Sequence, residues 1–522
     1  MNIIYSTQSN SLDLFNDLDL EIKKNIKIEK SLFIVADSSN FYKWEQNNKD
    51  SASNNIFIKE WELTSQRDLY VDMVELEKYE KRLGLNAGVF GSIVADRRLF
   101  MGKFSSISQD YSRRFSNEEL LSILLASLRA LDNYFNKYNP QILCGFICVT
   151  MLDYLVYLFA KENGSRVFNL RPTRIKDRVI FSNTLNDPDK RVLETYNSII
   201  KNQENAEFQR SIDFINESRD SHSLYEGVTK PSKSTAIKSN LLNYFSYNKI
   251  KSAFRNLINY YKLQIYKDNH VINPFSYFFY SSLINPVRAK IVNRKFKKNY
   301  IYENDLKNGD KYIFYPLHTE PEVSLLVYGR PFVNQIELIR MIALSMPLGF
   351  NLYVKEHPMM LGKRKISAYN KILNIPRVKL VSPSITSRSV IESSSLLTVI
   401  TGSMALEAAI VKKPVLTFGD CPYNILPNSM VKRIRDLRHI NMEILSQINN
   451  YKYDKTAMQA YIESNYKCSV GVNLYSNLLK KKNTFQVQSS MYNDDIAKLS
   501  EYLLKLLNED KLIEYKESDN IW

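Results

Sequence analysis

The sequence is poor in glycine, cysteine and histidine, and each shortage excludes a class of protein. It holds 14 glycines in 522 residues, under half the usual share of about 7%. None falls in a GxGxxG or GxxxxGK[ST] pattern, which excludes the dinucleotide fingerprint and the Walker loop. The four cysteines form no CxxC pair and the five histidines no HExxH motif. We therefore expect no structural zinc, no disulfide framework and a reducing, cytoplasmic location.

The chain also lacks export and membrane-spanning signals. Residues 1–15 have no charged n-region, apolar h-region or small-residue cleavage site. The apolar stretch 142–160 is long enough to cross a bilayer, but Asp153 lies near its centre, where a charge costs about 2.5–3.5 kcal/mol. Because Thr150 fits a helix N-cap, we predict a buried strand over 141–149 and a helix over 151–163.

Acidic residues are nearly absent from one segment, residues 230–298. It carries fourteen Lys/Arg against Asp268 alone, so it supplies +13 of the net charge of +16, and it holds thirteen aromatic residues. Such a composition is typical of a surface that binds anionic lipid headgroups, of a groove for nucleic acid, or of a solvated helical connection. Of these partners, nucleic acid is the least favoured.

Strand-like and helix-like stretches alternate in two parts of the chain, which predicts two parallel α/β layers. In the first part, 88–96 is interpreted as a β-rich run, and Ser116 with Glu119 predicts a capped helix over 117–138. In the second part, five apolar runs predict a doubly wound sheet, with strands over 312–318, 351–357, 378–382, 396–401 and 414–420.

The fold class expected is therefore α/β, with two Rossmann-like domains and a basic, aromatic connection between them. We assign 1–185 to the first domain, 186–300 to the connecting region, 301–485 to the second domain and 486–522 to a carboxyl-terminal helix.

Polar residues follow the strands of the second domain, at the edge where open α/β sheets bind ligands. They are His318, Glu320, Lys355, Glu356, His357, Pro358, Thr401, Gly402 and Ser403. Gly402 allows backbone to approach a ligand, and a helix that starts at Ser403 would point free N–H groups at it. This pattern predicts a phosphate site without a glycine-rich loop.

Several of these side chains have two interpretations. His357 and His318 can donate to a phosphate or protonate a leaving group, or can be structural. Lys355 lies on the same side of its strand as His357 and is either phosphate-directed or solvated. Glu407, one turn into the last helix, either accepts from ribose hydroxyls or compensates the helix dipole.

The first domain offers a candidate catalytic carboxylate. Asp96 lies at an apparent strand end and is followed by Arg97 and Arg98, so it is either catalytic or part of an ion pair. Asp17 and Asp19 spell a DxD metal motif, but their surroundings predict an amphipathic first helix, and no metal is expected.

The motifs YPLHTEPE, NLYVKEHP, SPS, TGSMALEAA and KPVLTFGD resemble the capsule polysaccharide synthesis family, which includes bacterial capsular Kdo transferases. The HP motif is present as His357-Pro358, whereas the position of the family's QP motif reads Glu320-Pro321. The resemblance implies a GT-B glycosyltransferase whose two domains face a cleft. It further implies a CMP-activated ulosonic acid bound by the second domain, a glycan or glycolipid acceptor, contacts from His357 and Ser403 to the cytidine phosphate, and no essential metal or other cofactor.

We therefore expect a transferase of surface polysaccharide assembly, with Asp96, Glu320 and His357 as candidate catalytic residues. The donor expected is CMP-Kdo or a sialic-acid relative, and the enzyme is expected in the cytoplasm, peripherally on the membrane. One alternative is a UDP-sugar transferase or epimerase-like enzyme, since Gly402, Ser403 and Glu407 also suit a UDP-sugar site. Another is a non-catalytic scaffold that binds membrane or polyanion through 230–298.

Overall fold

Two seven-stranded sheets organise the chain. The computed structural model describes residues 1–83, 89, 91–185, 188–205, 207–221, 247–264, 272–306, 309–479 and 489–509. In chain order the strands are β1 Asn2–Thr7, β2 Lys30–Val35, β3 Ile56–Lys59, β4 Ile142–Gly145, β5 Arg166–Pro172, β6 Arg178–Ser182, β7 Tyr300–Ile301, β8 Tyr312–Pro316, β9 Asn351–Lys355, β10 Val378–Val381, β11 Leu396–Val399, β12 Val415–Thr417, β13 Val431–Arg433 and β14 Val470–Gly471.

The two sheets are both doubly wound. The first has the order β14-β6-β5-β4-β1-β2-β3, parallel from β5 to β3, with β6 and β14 antiparallel at one edge. The second has the order β13-β12-β11-β8-β9-β10-β7 and is parallel throughout. Strand order reverses between β1 and β4 in the first sheet and between β8 and β11 in the second, so each sheet has a switch point where ligands bind in such folds.

Helices cover both faces of each sheet. They are α1 Ser11–Ile22, α2 Ser38–Asn47, α3 Lys49–Asn54, α4 Glu60–Thr64, α5 Met73–Arg82, α6 Gly91–Ala95, α7 Arg97–Phe100, α8 Asn117–Tyr138, α9 Met151–Glu162, α10 Lys190–Lys201, α11 Gln209–Ser221, α12 Tyr247–Leu263, α13 Pro274–Phe279, α14 Asn285–Lys295, α15 Glu303–Leu306, α16 Val323–Leu326, α17 Gln335–Ser345, α18 Ile366–Leu373, α19 Ser387–Ser393, α20 Met404–Ile410, α21 Ile440–Asn449, α22 Lys455–Lys467 and α23 Ser489–Glu509.

The α/β prediction with two Rossmann-like layers is confirmed, and several local predictions hold closely. The helix over 117–138 is α8, and Ser116 and Glu119 form a reciprocal capping box at its start. The stretch 142–160 divides into β4 and α9, with Thr150 as N-cap. Among the described helices, none is both long and apolar enough to cross a bilayer.

The interpretation of 91–96 as part of a β-rich run was wrong, while residues 88 and 90 lie outside the described part of the chain. Residues 91–95 form α6, which buries Ile93 and Ala95 and packs on α9. The run of Ile and Val favours a strand locally, but burial against a neighbouring helix decides the outcome.

The chain returns to the first sheet after the second is complete. Val470 and Gly471 form β14, which pairs with β6, and α23 packs on α1. The apolar side chains of α23, among them Leu499 and Leu503, therefore belong to the core of the first domain.

The connecting region contributes to the second domain. Helices α10 and α11 pack on α22, and Tyr196 and Phe214 join its core. Further on, Val292 and Phe296 are buried on the opposite face of the second sheet. Of the basic segment predicted over 230–298, residues 230–246 and 265–271 lie outside the described part of the chain.

Candidate functional site

The polar residues that follow β8 and β11 lie side by side at the switch point of the second sheet. Nε2 of His318 accepts a hydrogen bond from the backbone N–H of Thr401 at 3.4 Å. A Cβ on residue 402 would lie 3.3 Å from Cε1 of His318 and 3.0 Å from Cγ2 of Val399, so Gly402 permits this close approach. The two strand ends predicted to form one site are therefore in contact.

His318 is buried and is bonded to groups on both sides of this arrangement. Burial, and then the charges of His357 and Arg174, lower the pKa of His318 to about 3. Because Nε2 is an acceptor, the proton lies on Nδ1. Its backbone N–H and C=O are both bound by the side-chain amide of Gln335. The Thr401 hydroxyl is also engaged, since it donates to the Ser324 carbonyl at 2.9 Å.

A buried arginine, Arg364, links the first two strand ends of the site. Its side chain is 1% exposed, and it donates to Oε1 of Glu320 at 2.9 Å and to Oε2 of Glu356 at 2.6 Å. Tyr369 also donates to Glu356. One buried guanidinium thus holds both carboxylates in place.

Glu320 joins the two domains. Besides Arg364, its oxygens accept from Gln109 at 2.8 Å, from Tyr111 at 2.6 Å and from Gln335. Burial alone would raise the pKa of Glu320, but Arg364 and these donors hold it below the ordinary range. Because Gln109 and Tyr111 come from the first domain, the geometry favours a role for Glu320 in holding the cleft together.

Lys355 differs from its neighbours, because its charge has no partner. The side chain is 4% exposed, and its ammonium makes no hydrogen bond or ion pair with a residue in the described ranges. Burial lowers the pKa of Lys355, and Glu356 opposes this only in part. Lys355 shares its sheet face with Tyr353, the face that packs on α19 and α20. Because a buried charge is costly without a partner, an ammonium in this position favours an anionic ligand.

His357 presents a donor beside this lysine. It caps the 3₁₀ turn Pro358–Met360, and its Nδ1 accepts from the backbone N–H of Met359 at 3.2 Å. Burial is the main cause that lowers the pKa of His357, with Lys355 and Lys363 adding to it. The neutral imidazole therefore carries its proton on Nε2.

The helix after β11 begins one residue later than expected. A start at Ser403 was predicted, but α20 begins at Met404, and the Ser403 side chain makes no capping hydrogen bond. The carboxylate of Glu407 makes no hydrogen bond or ion pair within the described ranges, and burial raises its pKa to about 7, with Arg388 opposing. Ser403 and Glu407 thus retain polar groups that the fold does not use.

Sequence reasoning missed the residues that support these strand ends from elsewhere. The Tyr423 hydroxyl donates to the Thr401 carbonyl at 3.1 Å and also to that of Gly402. Arg174, from the first domain, donates to the Thr401 carbonyl at 3.2 Å. Neither residue lies in a recognisable motif, and no spacing in the sequence signals Arg364, Gln335 or Gln109 either.

The first domain holds a separate buried cluster around Arg98. Asp96 is 1% exposed; it caps α7, accepts from the Met151 N–H and forms an ion pair with Arg98 at 2.5 Å. Arg98 also donates a hydrogen bond to Glu60, which accepts another from the Thr150 hydroxyl at 2.6 Å. The geometry therefore supports the ion-pair interpretation of Asp96.

The DxD residues, Asp17 and Asp19, both lie on α1. Asp19 accepts from the Tyr5 and Ser31 hydroxyls and pairs with Lys23. Asp17 accepts from Tyr492 on α23. Both carboxylates fix α1 in the core of the first domain.

The carboxyl edges of the two sheets meet, since Arg174 follows β5 and contacts Thr401 after β11. Two Rossmann-like domains joined in this way define a GT-B-like α/β protein. Residues 213–465 match the family model described as "Capsule polysaccharide biosynthesis protein". This match confirms, over residues 213–465, the resemblance to that family carried by the motifs.

Several solved structures align with most of the chain at low identity. A β-Kdo 2,7-transferase, KpsC from Thermosulfurimonas dismutans, is 11% identical over 73% of this chain and 89% of its own, with a TM-score of 0.31. UDP-GlcNAc 2-epimerase from Methanocaldococcus jannaschii is 12% identical over 88% and 97%, with a TM-score of 0.24. MnaA from S. aureus, solved with UDP, is 10% identical over 99% of both chains, with a TM-score of 0.26. No curated protein matches the sequence.

Proposed function

We propose that this protein is a glycosyltransferase of capsule polysaccharide assembly that transfers a CMP-activated ulosonic acid, Kdo or a sialic-acid relative, to a glycan or glycolipid acceptor. The observation that carries the proposal is the buried side chain of Lys355 at the carboxyl edge of the second sheet, whose ammonium makes no hydrogen bond or ion pair with the described residues. The match of residues 213–465 to the capsule polysaccharide biosynthesis model supports a role in capsule assembly. Because nucleotide sugars are cytoplasmic metabolites, we propose that the enzyme acts there.

The charge of the site suits such a donor. A CMP-ulosonate carries two anions, the phosphate and the sugar carboxylate. Lys355 and Lys363 both lie near enough to His357 to lower its pKa, whereas the charge of Arg364 is already met by Glu320 and Glu356. Lys355, Lys363 and Arg364 therefore exceed Glu320 and Glu356 by one positive charge, which favours an anionic ligand.

His357 is the proposed donor to the leaving group. When the glycosidic bond to the nucleotide breaks, negative charge grows on the departing phosphate. The Nε2–H of a neutral His357 can donate to that phosphate, and the Lys355 ammonium can stabilise its charge. Ser403 offers a hydroxyl to the same phosphate, and Glu407 can accept from ribose hydroxyls.

A UDP-sugar transferase or epimerase-like enzyme is the second candidate. The unused carboxylate of Glu407, one turn after Gly402 and Ser403, is the feature that favours it, since this arrangement suits a UDP-sugar equally well. The two candidates differ in the nucleobase that the site binds, cytosine or uracil.

The test is a thermal-shift panel of CMP, UDP, GDP and ADP on the full chain. A ligand at 100 times its Kd stabilises by about 2.7 kcal/mol, so selective stabilisation by CMP is expected. Lys355→Met and Ser403→Ala should abolish that shift. Lys379→Met is the matched control, because it removes a half-exposed lysine from the neighbouring strand β10.

Each outcome selects among the candidates. A CMP preference lost in Lys355→Met supports the proposal and leads to assays with CMP-Kdo and CMP-sialate. A UDP preference favours the second candidate. No response to any nucleotide contradicts both enzymes and favours a non-catalytic scaffold.

A further inference from the structure

One helical rod has two apolar sides, of which the fold buries only one. Helix α13, a π-helical turn over Tyr280–Ile284 and helix α14 follow one another without a break from residue 274 to 295. On one side, Val292, with Phe296 just beyond the helix, joins the core of the second domain. The other side carries an exposed row in which every fourth residue is apolar: Phe275, Phe279, Leu283, Val287 and Ile291.

The rod is fixed to both domains beside the candidate site. Arg288 donates to the Lys363 carbonyl and to the Ser108 hydroxyl, both at 3.0 Å. Asn285 donates to the Ile107 carbonyl at 2.9 Å, and Tyr280 stacks on Phe104 at 4.9 Å between ring centroids. The exposed row is therefore held outward by contacts on the opposite side of the same helix.

A second helix extends the apolar surface. Helix α12 contacts α13 and exposes Phe254, Ile258 and Tyr261, which are spaced as one face of a helix. We call these three residues, the row of five, and Tyr277 and Phe278 the α12–α14 patch. Phe275 is 69% exposed and Tyr261 66%, values far from those of a packed core.

The charge around the patch is of one sign. Residues 247–264 and 272–298 contain ten Lys/Arg and no Asp or Glu. Lys290 and Arg294 follow Val287 and Ile291 by three residues each, so a basic row runs beside the apolar one. Both are exposed, as are Lys295, Lys297 and Lys298.

We propose that the α12–α14 patch inserts into the interfacial region of an anionic lipid bilayer, with the adjoining basic row against the headgroups. The row from residue 275 to 291 is about 24 Å long at 1.5 Å per residue, and it can lie in the plane of the interface as amphipathic helices do. Lys/Arg near such a surface are attracted to anionic lipid. The polar contacts of Arg288 would then hold the candidate site close to the membrane.

The experiment is sedimentation of the full chain with vesicles of phosphatidylcholine alone and with 30% phosphatidylglycerol. Binding to the anionic vesicles is expected to fall at least tenfold when Phe275, Phe279 and Leu283 are changed to Ser. The same fall is expected when Arg294, Lys295, Lys297 and Lys298 are changed to Glu. Binding of the unchanged protein should weaken steeply as salt rises.

The matched controls make the same kinds of substitution at exposed residues outside the α12–α14 patch. Tyr70→Ser and Leu348→Ser remove exposed apolar side chains outside the patch, and Lys43, Lys49, Lys78 and Lys81→Glu reverse four exposed charges on the first domain. These variants should bind anionic vesicles within twofold of the unchanged protein.

Three results would overturn the proposal. The first is unchanged vesicle binding in both patch variants, and the second is an equal loss in the controls. The third is a dimer in light scattering that the serine variant dissociates, which would assign the patch to a second copy of the chain.

Because the altered side chains are exposed, melting temperatures should stay unchanged and confirm that the variants fold. Nucleotide binding is measured separately, so the failure of one proposal does not decide the other.

Discussion

The guanidinium of Arg364 lies 2.9 Å from Oε1 of Glu320, and both side chains are buried. The same guanidinium donates to Glu356, so a single cation holds two carboxylates from two strand ends. Since Glu320 also binds Gln109 and Tyr111, this pair connects the sheet edge to the other domain.

Replacing Arg364 should therefore be among the most destabilising changes near the site. Arg364→Met leaves two buried carboxylates without their cation, and we expect a loss of about 3–5 kcal/mol in the free energy of unfolding, measured by urea titration. Arg438→Met, which breaks an exposed pair with Asp436, is the control and should leave the urea midpoint unchanged. Equal midpoints for both variants would contradict a structural role for Arg364.

Replacing Lys355, in contrast to Arg364, should not destabilise the fold. Burying its unpaired ammonium opposes folding, so Lys355→Met should leave the melting temperature equal to or above that of the unchanged protein while nucleotide binding is lost. The measurement is thermal unfolding with and without the nucleotide that stabilises the chain. A large fall in melting temperature without ligand would instead indicate that the lysine supports the fold.

Glu60 should make the protein less stable as pH rises. Burial raises the pKa of Glu60 from 4.5 to about 8. The charge of Arg98 opposes this rise, and the charges of Asp96 and Asp153 add to it. Between these values the folded protein holds a proton that the unfolded chain has released. The free energy of unfolding therefore falls as pH increases from 5 to 8, by up to about 1.4 kcal/mol per pH unit for one proton.

Glu60→Gln removes this titration and should flatten the dependence of unfolding free energy on pH. Urea titrations at pH 5, 6, 7 and 8 measure the slope, with the exposed Glu77→Gln as control. A slope unchanged in Glu60→Gln would show that Glu60 is ionised in the folded protein.

Gly402→Ala tests the contact between the two strand ends. The new Cβ would lie 3.0 Å from Val399 and 3.3 Å from His318, closer than side chains normally pack. We expect a destabilisation of about 1–3 kcal/mol and weaker nucleotide binding, because His318 must move. Gly471→Ala is the control, since its Cβ would meet nothing closer than 3.4 Å. Wild-type stability and binding in Gly402→Ala would contradict the tight approach.

Much of the architecture follows from the sequence alone. Apolar runs of strand length separated by helical periodicity are local properties, so β8, β9, β10, β11 and β12 were each predicted, although the strands end one to three residues earlier than the runs. The capping box at Ser116 and the division of 142–160 at Thr150 rest on contacts within one turn. The cluster at His318, Lys355 and Thr401 was predicted because the carboxyl ends of parallel strands share one edge.

Only the tertiary structure decided which of these polar residues are free to bind a ligand. Nothing local distinguishes Lys355 from Glu356, yet one is left without a partner and the other is held by Arg364, eight residues along the chain. The short strands β7 and β13 and the helix α6 also depend on what packs against them. Hydrogen bonds and burial join residues that are distant in sequence, so the sequence determined where a site can form, and long-range packing determined which side chains it keeps.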